Sequence, residues 1–170
     1  MTEIYNPNPT VFAPVKSSKA TPLWLVDADD DADDFNDAPE PIDPEEIFDL
    51  IRSIADPEHP NTLEELRVVS LPQITIHPNR IHVEFTPTVP HCGMSTLIGL
   101  SIRVRLLRAL PSRFKIDITL KPGSHQSELA VNKQLNDKER VAAALENPAL
   151  VQTVEHTLEN AHRRGQPADE

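Results

Sequence analysis

The strictest pattern in this sequence is the alternation of apolar and polar side chains between Phe114 and Leu120. Apolar residues occupy every second position there, with Lys115, Asp117 and Thr119 between them. Alternation with a period of two is typical of a β-strand that buries one face and exposes the other. The pattern therefore predicts a strand, and a chain that holds it must contain a sheet.

A second strand-forming region precedes this one. Residues 81–85 alternate apolar with polar side chains, and apolar residues also recur between positions 68 and 76. The turn-forming sequence His77-Pro78-Asn79 separates the two runs. Together they predict a β-hairpin with one apolar face.

Helical spacing of apolar residues appears between the hairpin and the third strand. Within residues 96–110 the apolar positions fit a helix, although part of the run also alternates. The length of the run, and the capping candidates Ser95 and Thr96, favour a helix.

An earlier helix is predicted to begin at Pro44 with Asp43 as its cap, and a single turn at residues 62–66 has Thr62 and Glu65 in capping-box positions. Three C-terminal helices are predicted at residues 128–135, after a cap at Asn136, and at 148–158. Strands before and after a helix, with helices closing the chain, predict an α+β fold: a small mixed sheet of about three strands packed with helices.

The acidic side chains are concentrated near the N-terminus. Residues 1–44 hold ten acidic and two basic side chains, in a chain whose net charge is −11. Large apolar residues are few there, so burial cannot offset the entropy of ordering the segment. We predict a disordered acidic, proline-containing arm at 1–41, one α+β domain at 42–162 and a flexible tail at 163–170. Alternatively, the Asn6-Pro7-Asn8-Pro9 motif with Phe12, or residues 23–26, docks on a partner.

Composition argues against several functional classes. An acidic chain without a basic stripe repels phosphate backbones, so direct nucleic-acid binding is not expected. The first residues carry prolines where a signal peptide has an apolar stretch, and no apolar run is long enough to cross a membrane. A soluble protein inside the cell is the expectation. The single cysteine, Cys92, cannot form an internal disulfide, which fits a reducing compartment.

Cys92 lies in the most chemically distinctive stretch of the chain, between a predicted strand and a predicted helix start. The partial positive charge of a helix start favours a thiolate, and His91 can add to the effect when charged. A thiolate is what a soft metal or a persulfide exchange requires. The opposing interpretation is a small buried hydrophobic residue, the usual fate of a free cysteine. The prolines and the glycine around it favour a shaped, exposed loop instead.

The histidines differ in what they suggest. His59 in a proline-rich turn and His82 on the polar face of a strand are best explained as structural. His125 precedes Ser127 and Glu128 at a loop-to-helix junction, where it could approach Cys92. A cysteine hydrolase would need a histidine in reach and an oxyanion hole, and no nucleophile signature surrounds the cysteine.

Several long stretches of this chain resemble the cytosolic iron–sulfur assembly family, whose members form a targeting complex with a β-propeller protein and a HEAT-repeat adaptor and are related to the bacterial SufT and PaaD proteins. The resemblance spans about residues 42–160, and blocks of such length are more specific than a short motif. The matching stretches are residues 47–54, 56–60, 62–66, 85–88, 90–92, 96–102, 130–135 and 137–147. Asn6-Pro7-Asn8-Pro9 also resembles the family's N-terminal motif.

The resemblance implies an α+β iron–sulfur assembly domain with a reactive cysteine at Cys92, and His125 and Glu128 near it. It implies a non-enzymatic adaptor in the cytoplasm and nucleus that helps insert clusters into apoproteins, among them enzymes of DNA replication and repair, with a bearing on chromosome segregation. The partners implied are the β-propeller subunit, the HEAT-repeat subunit and the apo client proteins. The sequence leaves open whether two copies of the chain form a homodimer.

This chain departs from some relatives, which carry a second cysteine near the C-terminus. One thiolate per chain suggests that Cys92 holds a cluster or iron only transiently, shared with another subunit or a client protein, and that no cofactor is tightly bound. Two alternatives remain open. One is a scaffold whose thiol is incidental and whose helical surface, with Lys133 and Arg140, binds the partners. The other is a thiol enzyme that uses Cys92.

Overall fold

The computed structural model describes residues 9–15, 41–90 and 93–166. Cys92 and His91, most of the predicted acidic arm and the last four residues lie outside these ranges. The described part of the chain forms a three-stranded sheet and five α-helices. The predicted α+β fold is therefore confirmed.

The first helix, α1, spans Pro44–Ile51. Its predicted cap is confirmed, because the Asp43 carboxylate accepts a hydrogen bond from the Glu46 N–H at 2.8 Å. The capping box of the following turn is confirmed as well: the Thr62 N–H donates to Glu65 Oε2 at 2.9 Å, and the Glu65 N–H donates to Thr62 Oγ1 at 3.3 Å. Local sequence signals thus determine the start of α1 and the turn at residues 62–66.

The sheet consists of β1 (Ile74–His77), β2 (Arg80–Phe85) and β3 (Lys115–Leu120), in that order. β1 pairs antiparallel with β2, as the predicted hairpin requires, whereas β2 pairs in parallel with β3. The sheet is therefore mixed, as predicted. Its alternating apolar side chains face the core, and those of β2 and β3 are almost completely buried.

Helix α2, Met94–Ala109, connects the two parallel strands. Parallel neighbours need a crossover connection, and this helix supplies it. Much of α2 is buried because it packs against the sheet on one side and against the C-terminal helices on the other. The helix predicted from the length of the apolar run is therefore confirmed.

Three helices follow β3: α3 (Glu128–Asn136), α4 (Lys138–Leu145) and α5 (Pro148–Leu158). Val131 and Leu135 of α3 belong to the main core, while Val141 of α4 and Val154 of α5 form a smaller cluster with α2. Over the described ranges, no helix has the length and apolar composition that a membrane span requires.

Two asparagines of α3 bind the outer edge of β3. Asn132 Oδ1 accepts a hydrogen bond from the Leu120 N–H at 2.8 Å. Asn136 Oδ1 accepts from the Ile118 N–H at 2.9 Å, and its Nδ2 donates to the Ile118 carbonyl at 2.8 Å. These side chains take the place of a neighbouring strand, so α3 is fixed to the sheet by polar as well as apolar contacts.

Three local predictions were wrong. Helix α2 begins at Met94 after Gly93, so neither Ser95 nor Thr96 caps it. The cap of α4 is Asp137, because the side chain of Asn136 is engaged with β3. Residues 68–73 form a bend and a short 3-10 turn, and the first strand begins only at Ile74. Each prediction rested on local spacing alone, and for Asn136 a tertiary hydrogen bond to β3 decided the outcome.

The contacts of the domain extend beyond the predicted boundaries at 42 and 162. Residues 9–15, within the segment predicted to be disordered, bind Arg52, the residue after α1, and the turn at residues 62–67. At the other end, the Gly165 N–H donates to Ser53 Oγ at 2.7 Å. Gly165 has φ +82°, and a Cβ there would lie 2.5 Å from Arg52 Nε, so only glycine fits. The rest of the predicted arm falls outside the described residues.

Candidate functional site

The candidate site is built at the edge of the sheet where β2 and β3 end. Because these strands are parallel, their carboxyl ends meet at the same edge, and the Lys121 N–H donates to the Phe85 carbonyl at 2.9 Å. One loop leaves β2 towards α2, and another leaves β3 towards α3. Loops at the carboxyl ends of parallel strands commonly form ligand sites in open sheets.

The first of these loops carries Cys92. The loop runs from Thr86 to Gly93, the residue before α2. The Thr86 N–H donates to the Val68 carbonyl at 2.8 Å. Cys92 and His91 themselves lie outside the described residues, so their side-chain geometry stays a prediction. The sequence nevertheless places Cys92 two positions before the first residue of a 16-residue helix. The helix start favours negative charge on a neighbouring group.

The two loops touch each other. The Gln126 N–H donates to the Pro90 carbonyl at 3.1 Å, which joins the loop after β3 to the stretch that leads into Cys92. His125 is next to Gln126 in the chain. The approach of His125 to Cys92 stays a prediction, and this hydrogen bond joins the two loops that carry them.

His125 is held in a defined orientation. Its Nδ1 accepts a hydrogen bond from the Ser127 N–H at 3.0 Å. This bond requires Nδ1 without a proton, so the neutral ring carries its proton on Nε2. In that tautomer His125 is a hydrogen-bond donor through Nε2. Metal binding by Nε2 would require the other neutral tautomer, with the proton on Nδ1, and would break the bond from Ser127.

Glu128 closes the turn that carries His125. Glu128 Oε2 accepts a hydrogen bond from the Gly123 N–H at 3.0 Å, and Gly123 adopts φ +78°. A carboxylate in the first turn of α3 also suits the positive helix start. Glu128 thus fixes the loop, and its chemical role towards Cys92 stays a prediction.

Ser95 is a feature of this edge that sequence analysis missed. It lies in the first turn of α2, and only 1% of its surface is exposed. Its Oγ has no hydrogen-bond partner among the described residues. A buried hydroxyl without a partner is unusual and costs free energy. It can be recognised only from tertiary packing, since serine near a helix start ordinarily indicates a cap.

A mostly apolar cleft of about 390 Å³ opens beside the start of α2. It reaches Gly93, the residue after Cys92, and extends between α2 and the C-terminal helices. Its lining consists of Gly93, Met94, Thr96, Leu97, Leu100, Gln134, Ala144 and Leu150. A side chain of another protein could enter this cleft within reach of the Cys92 loop.

The predicted partner-binding residues lie on the outer surface of α3 and α4. Lys133 and Arg140 are both exposed, and Arg140 Nε is 3.6 Å from Asp137 Oδ2. Leu129, one turn before Lys133, has 83% of its surface exposed and was not singled out from the sequence. An exposed leucine beside basic residues is compatible with a protein interface.

One group of three metal-ligating side chains occurs in the described part of the chain: Asp56, Glu58 and His59, whose ligand atoms lie within 4.8 Å of one another. Asp56 Oδ1 already accepts hydrogen bonds from the N–H groups of Glu58 and His59 and lies 3.1 Å from His59 Nδ1. The arrangement stabilises the turn after α1, in agreement with the structural role predicted for His59. His82, likewise predicted to be structural, has Nε2 2.8 Å from Thr119 Oγ1.

Comparison with known proteins gives a consistent result. Residues 44–130 match the family described as iron–sulfur cluster assembly protein. The MIP18 family protein galla-2 of Drosophila melanogaster is 55% identical over 159 residues, which cover 92% of this chain and 96% of that protein. Protein AE7 of Arabidopsis thaliana is 64% identical over 122 residues, or 71% of this chain and 78% of that protein. Cytosolic iron-sulfur assembly component 2B of Mus musculus is 53% identical over 155 residues, or 90% of each chain.

The family match runs from the first residue of α1 into the first turn of α3. It therefore contains the whole sheet, both loops at its carboxyl edge, Cys92 and Glu128. The identities to the three relatives extend over at least 71% of the chain, so the similarity is not confined to one motif. On these grounds the chain belongs to the iron–sulfur cluster assembly protein family.

Proposed function

We propose that this protein is a non-enzymatic adaptor of cytosolic iron–sulfur protein assembly, which helps insert clusters into apoproteins of the cytoplasm and nucleus, including enzymes of DNA replication and repair. The observation that carries the proposal is the 53% identity to a cytosolic iron-sulfur assembly component over 90% of both chains. The geometry of the sheet edge supports it, because the loop that leads to Cys92 adjoins a mostly apolar cleft.

Cys92 is the residue that we assign to the cluster, which is cargo and not a resident cofactor. A thiolate before the start of α2 would occupy one coordination position on an iron atom. One cysteine per chain leaves the other positions to a partner subunit, a second copy or the client protein. His125, with its proton on Nε2, is suited to donate a hydrogen bond to the cysteine sulfur and so stabilise the thiolate.

The partners that we propose are a β-propeller subunit, a HEAT-repeat subunit and the apo clients. The outer surface of α3 and α4, with Leu129, Lys133 and Arg140, is the candidate contact for one of the subunits. Leu129 on this surface is 83% exposed, against 50% for Leu107 of α2, and it lies beside the basic side chains. If the chain acts only as a scaffold, this surface and not Cys92 carries the function.

The test is an affinity purification from cells that express the full chain, with wild type, Cys92→Ala and Leu129→Asp compared. Partner proteins are identified, and the iron and sulfide content of the recovered clients is measured. We expect Cys92→Ala to retain the partners but to leave the clients with at least a ten-fold lower cluster content. We expect Leu129→Asp to lose one partner.

The outcomes separate the alternatives. Normal clients with Cys92→Ala would leave the scaffold as the function. Turnover of a substrate by purified wild type that disappears in the same variant would favour a thiol enzyme. Ser112→Ala is the matched control, because Ser112 is exposed in the loop before β3 and belongs to neither surface.

A further inference from the structure

Residues 9–15, hereafter the arm segment, bind the domain although they form neither helix nor strand. The Phe12 N–H donates to the Glu65 carbonyl at 2.7 Å. The Val15 N–H donates to Glu64 Oε1 at 2.7 Å, and Arg52 Nη2 donates to the Val15 carbonyl. The arm segment is thus held mainly through its backbone.

The two side chains that meet Val15 form a buried, bidentate ion pair. Arg52 and Glu64 are 2% and 7% exposed. Arg52 Nε donates to Glu64 Oε2 at 2.8 Å and Nη2 donates to Oε1 at 2.7 Å, while Nη1 donates to Asp49 Oδ1 at 2.9 Å. The pair therefore presents a donor and an acceptor, in fixed positions, to the N–H and C=O of one residue. Such a pair can form hydrogen bonds with a peptide backbone regardless of which side chain the residue carries.

The site contacts a side chain of the arm segment at Phe12, three residues before Val15. The guanidinium carbon of Arg67 lies 3.8 Å from the centroid of the Phe12 ring, which is a cation–π contact. By contrast, 67% of Val15 and 54% of Val11 is exposed. The site thus selects an aromatic ring at one position and only a backbone at the other.

The cleft at this site is larger than its occupant. A space of about 800 Å³ remains beside the arm segment and continues past Val69 and Leu71 towards Gln73 and Lys121. Leu71 is 38% exposed on its rim. The volume and the mixed apolar and polar lining fit a peptide longer than the seven residues now bound.

The attachment of the arm segment is also limited. Five of its seven residues are exposed, namely Thr10, Val11, Ala13, Pro14 and Val15. Its binding therefore depends on a few hydrogen bonds and one ring contact, with little apolar burial. A segment so held can be replaced by another that makes the same contacts over a greater length.

We propose that this cleft is a peptide-binding site for a partner protein, and that the arm segment is its tethered occupant in the free chain. The partner segment carries an aromatic residue that stacks on Arg67 and, three residues later, a backbone N–H and C=O that pair with Glu64 and Arg52. Binding of the partner releases the arm segment. The inference does not depend on Cys92 or on cluster transfer, so the two proposals can fail separately.

The first experiment uses the full chain and a fluorescent, end-capped peptide with the sequence of residues 9–15. The variant Phe12→Ala with Val15→Pro removes the ring and the N–H that donates to Glu64, and so vacates the cleft. We expect the peptide to bind this variant at least ten-fold more tightly than wild type, where the arm segment competes. A peptide with alanine in place of the phenylalanine should bind the same variant at least ten-fold more weakly.

Equal affinity for wild type and the vacated variant, or absent binding to a variant whose circular dichroism is native, would overturn the proposal. Val11→Ala is the matched control, since Val11 is exposed in the same segment, and it should behave as wild type. An independent measurement is amide hydrogen exchange of wild type. The Phe12 and Val15 amides should exchange at least ten-fold more slowly than unstructured amides and lose this protection when excess peptide is added. Unprotected amides in wild type would also contradict the proposal.

Discussion

The cluster around Arg52 and the sheet edge that carries the Cys92 loop bury polar groups in opposite ways. Every guanidinium nitrogen of Arg52 donates a hydrogen bond, to Glu64, Asp49 or Val15. At the sheet edge, Ser95 is just as buried, yet its hydroxyl has no partner in the described part of the chain. The comparison teaches that the polar groups around Arg52 satisfy one another, whereas the sheet edge leaves one buried hydroxyl without a partner among the described residues.

Electrostatics explains why the buried guanidinium of Arg52 needs all of its hydrogen-bond partners. Burial alone lowers the pKa of an arginine, but the hydrogen bonds to Glu64 and Asp49 outweigh that effect and raise the pKa of Arg52. The side chain therefore stays charged inside the protein. A buried charge is tolerated only when its partners are in place, so this cluster behaves as a single unit.

The largest expected effect comes from breaking that unit. Arg52→Met keeps the length of the side chain but leaves the Glu64 carboxylate buried and unpaired. We expect a loss of about 3–5 kcal/mol in the free energy of unfolding, the usual consequence of removing one partner of a buried ion pair. Urea unfolding of the full chain, followed by circular dichroism, measures the loss.

The control for this change is Arg113→Met. Arg113 is exposed and contacts the ring of Phe114, with 4.9 Å between the guanidinium carbon and the ring centroid. It should cost less than about 1 kcal/mol. Equal losses for the two variants would show that the Arg52 cluster contributes no more than a surface contact.

An effect of opposite sign is expected at the sheet edge. Ser95→Ala removes a buried hydroxyl that lacks a partner among the described residues, so we expect a gain of about 1 kcal/mol in the free energy of unfolding. Ser101→Ala is a closely matched control. Ser101 lies on the same helix and is also 1% exposed, but its Oγ is 2.9 Å from both the Leu97 carbonyl and Thr157 Oγ1. This second variant should lose about 1 kcal/mol.

The sign of the Ser95→Ala result decides between two descriptions of the edge. A loss as large as that of Ser101→Ala would mean that the Ser95 hydroxyl has a partner, which then must lie outside the described residues. His91 and Cys92 are the nearest such residues in the chain. Cys92→Ala combined with Ser95→Ala in a double-mutant cycle would then measure the coupling between the two side chains.

The smallest effect is expected at an exposed ion pair, which contrasts with the buried pair of Arg52 and Glu64. Arg108 of α2 donates to Glu155 of α5, and both side chains are about half exposed. The hydrogen bond from Arg108 lowers the pKa of Glu155. The pair therefore adds stability above the ordinary carboxyl pKa, and this contribution disappears as the pH falls through the lowered value.

We expect Glu155→Gln to lose no more than about 0.5 kcal/mol near neutral pH, and less as the pH is lowered towards the lowered pKa of Glu155. Urea unfolding at a series of pH values checks this, with Glu146→Gln as the control for an exposed carboxylate. A difference between Glu155→Gln and wild type that grows on acidification would contradict the expected direction of the pH dependence.

The sequence predicted those features that depend on neighbours in the chain. The Asp43 cap, the capping box of Thr62 and Glu65, and the alternating strands β2 and β3 each need contacts within a few residues or a simple period. The family resemblance then indicated iron–sulfur cluster assembly, and the family match agrees with that statement. The sheet was predicted to be mixed, but the strand with which β3 pairs was not specified, because periodicity carries no information on strand order.

The features that escaped prediction all join residues far apart in the chain. Arg52 meets Glu64 at a separation of 12 residues and Val15 at a separation of 37. Ser95 was predicted to be a cap because it lies near the helix start, and a single sequence does not show that packing against other elements buries it. Asn136 was taken for a cap because its bond to Ile118 spans 18 residues. Spacing rules cannot detect such pairs in a single sequence.

The asparagine side chains on β3 also have a consequence for assembly. By occupying the hydrogen-bonding groups of Leu120 and Ile118, Asn132 and Asn136 prevent a foreign strand from being templated on that side. β1, at the opposite side, pairs only with β2 among the described strands. Pairing of a further strand beside β3 is thereby blocked, so a strand from another protein or a second copy that adds to this sheet would have to pair with β1.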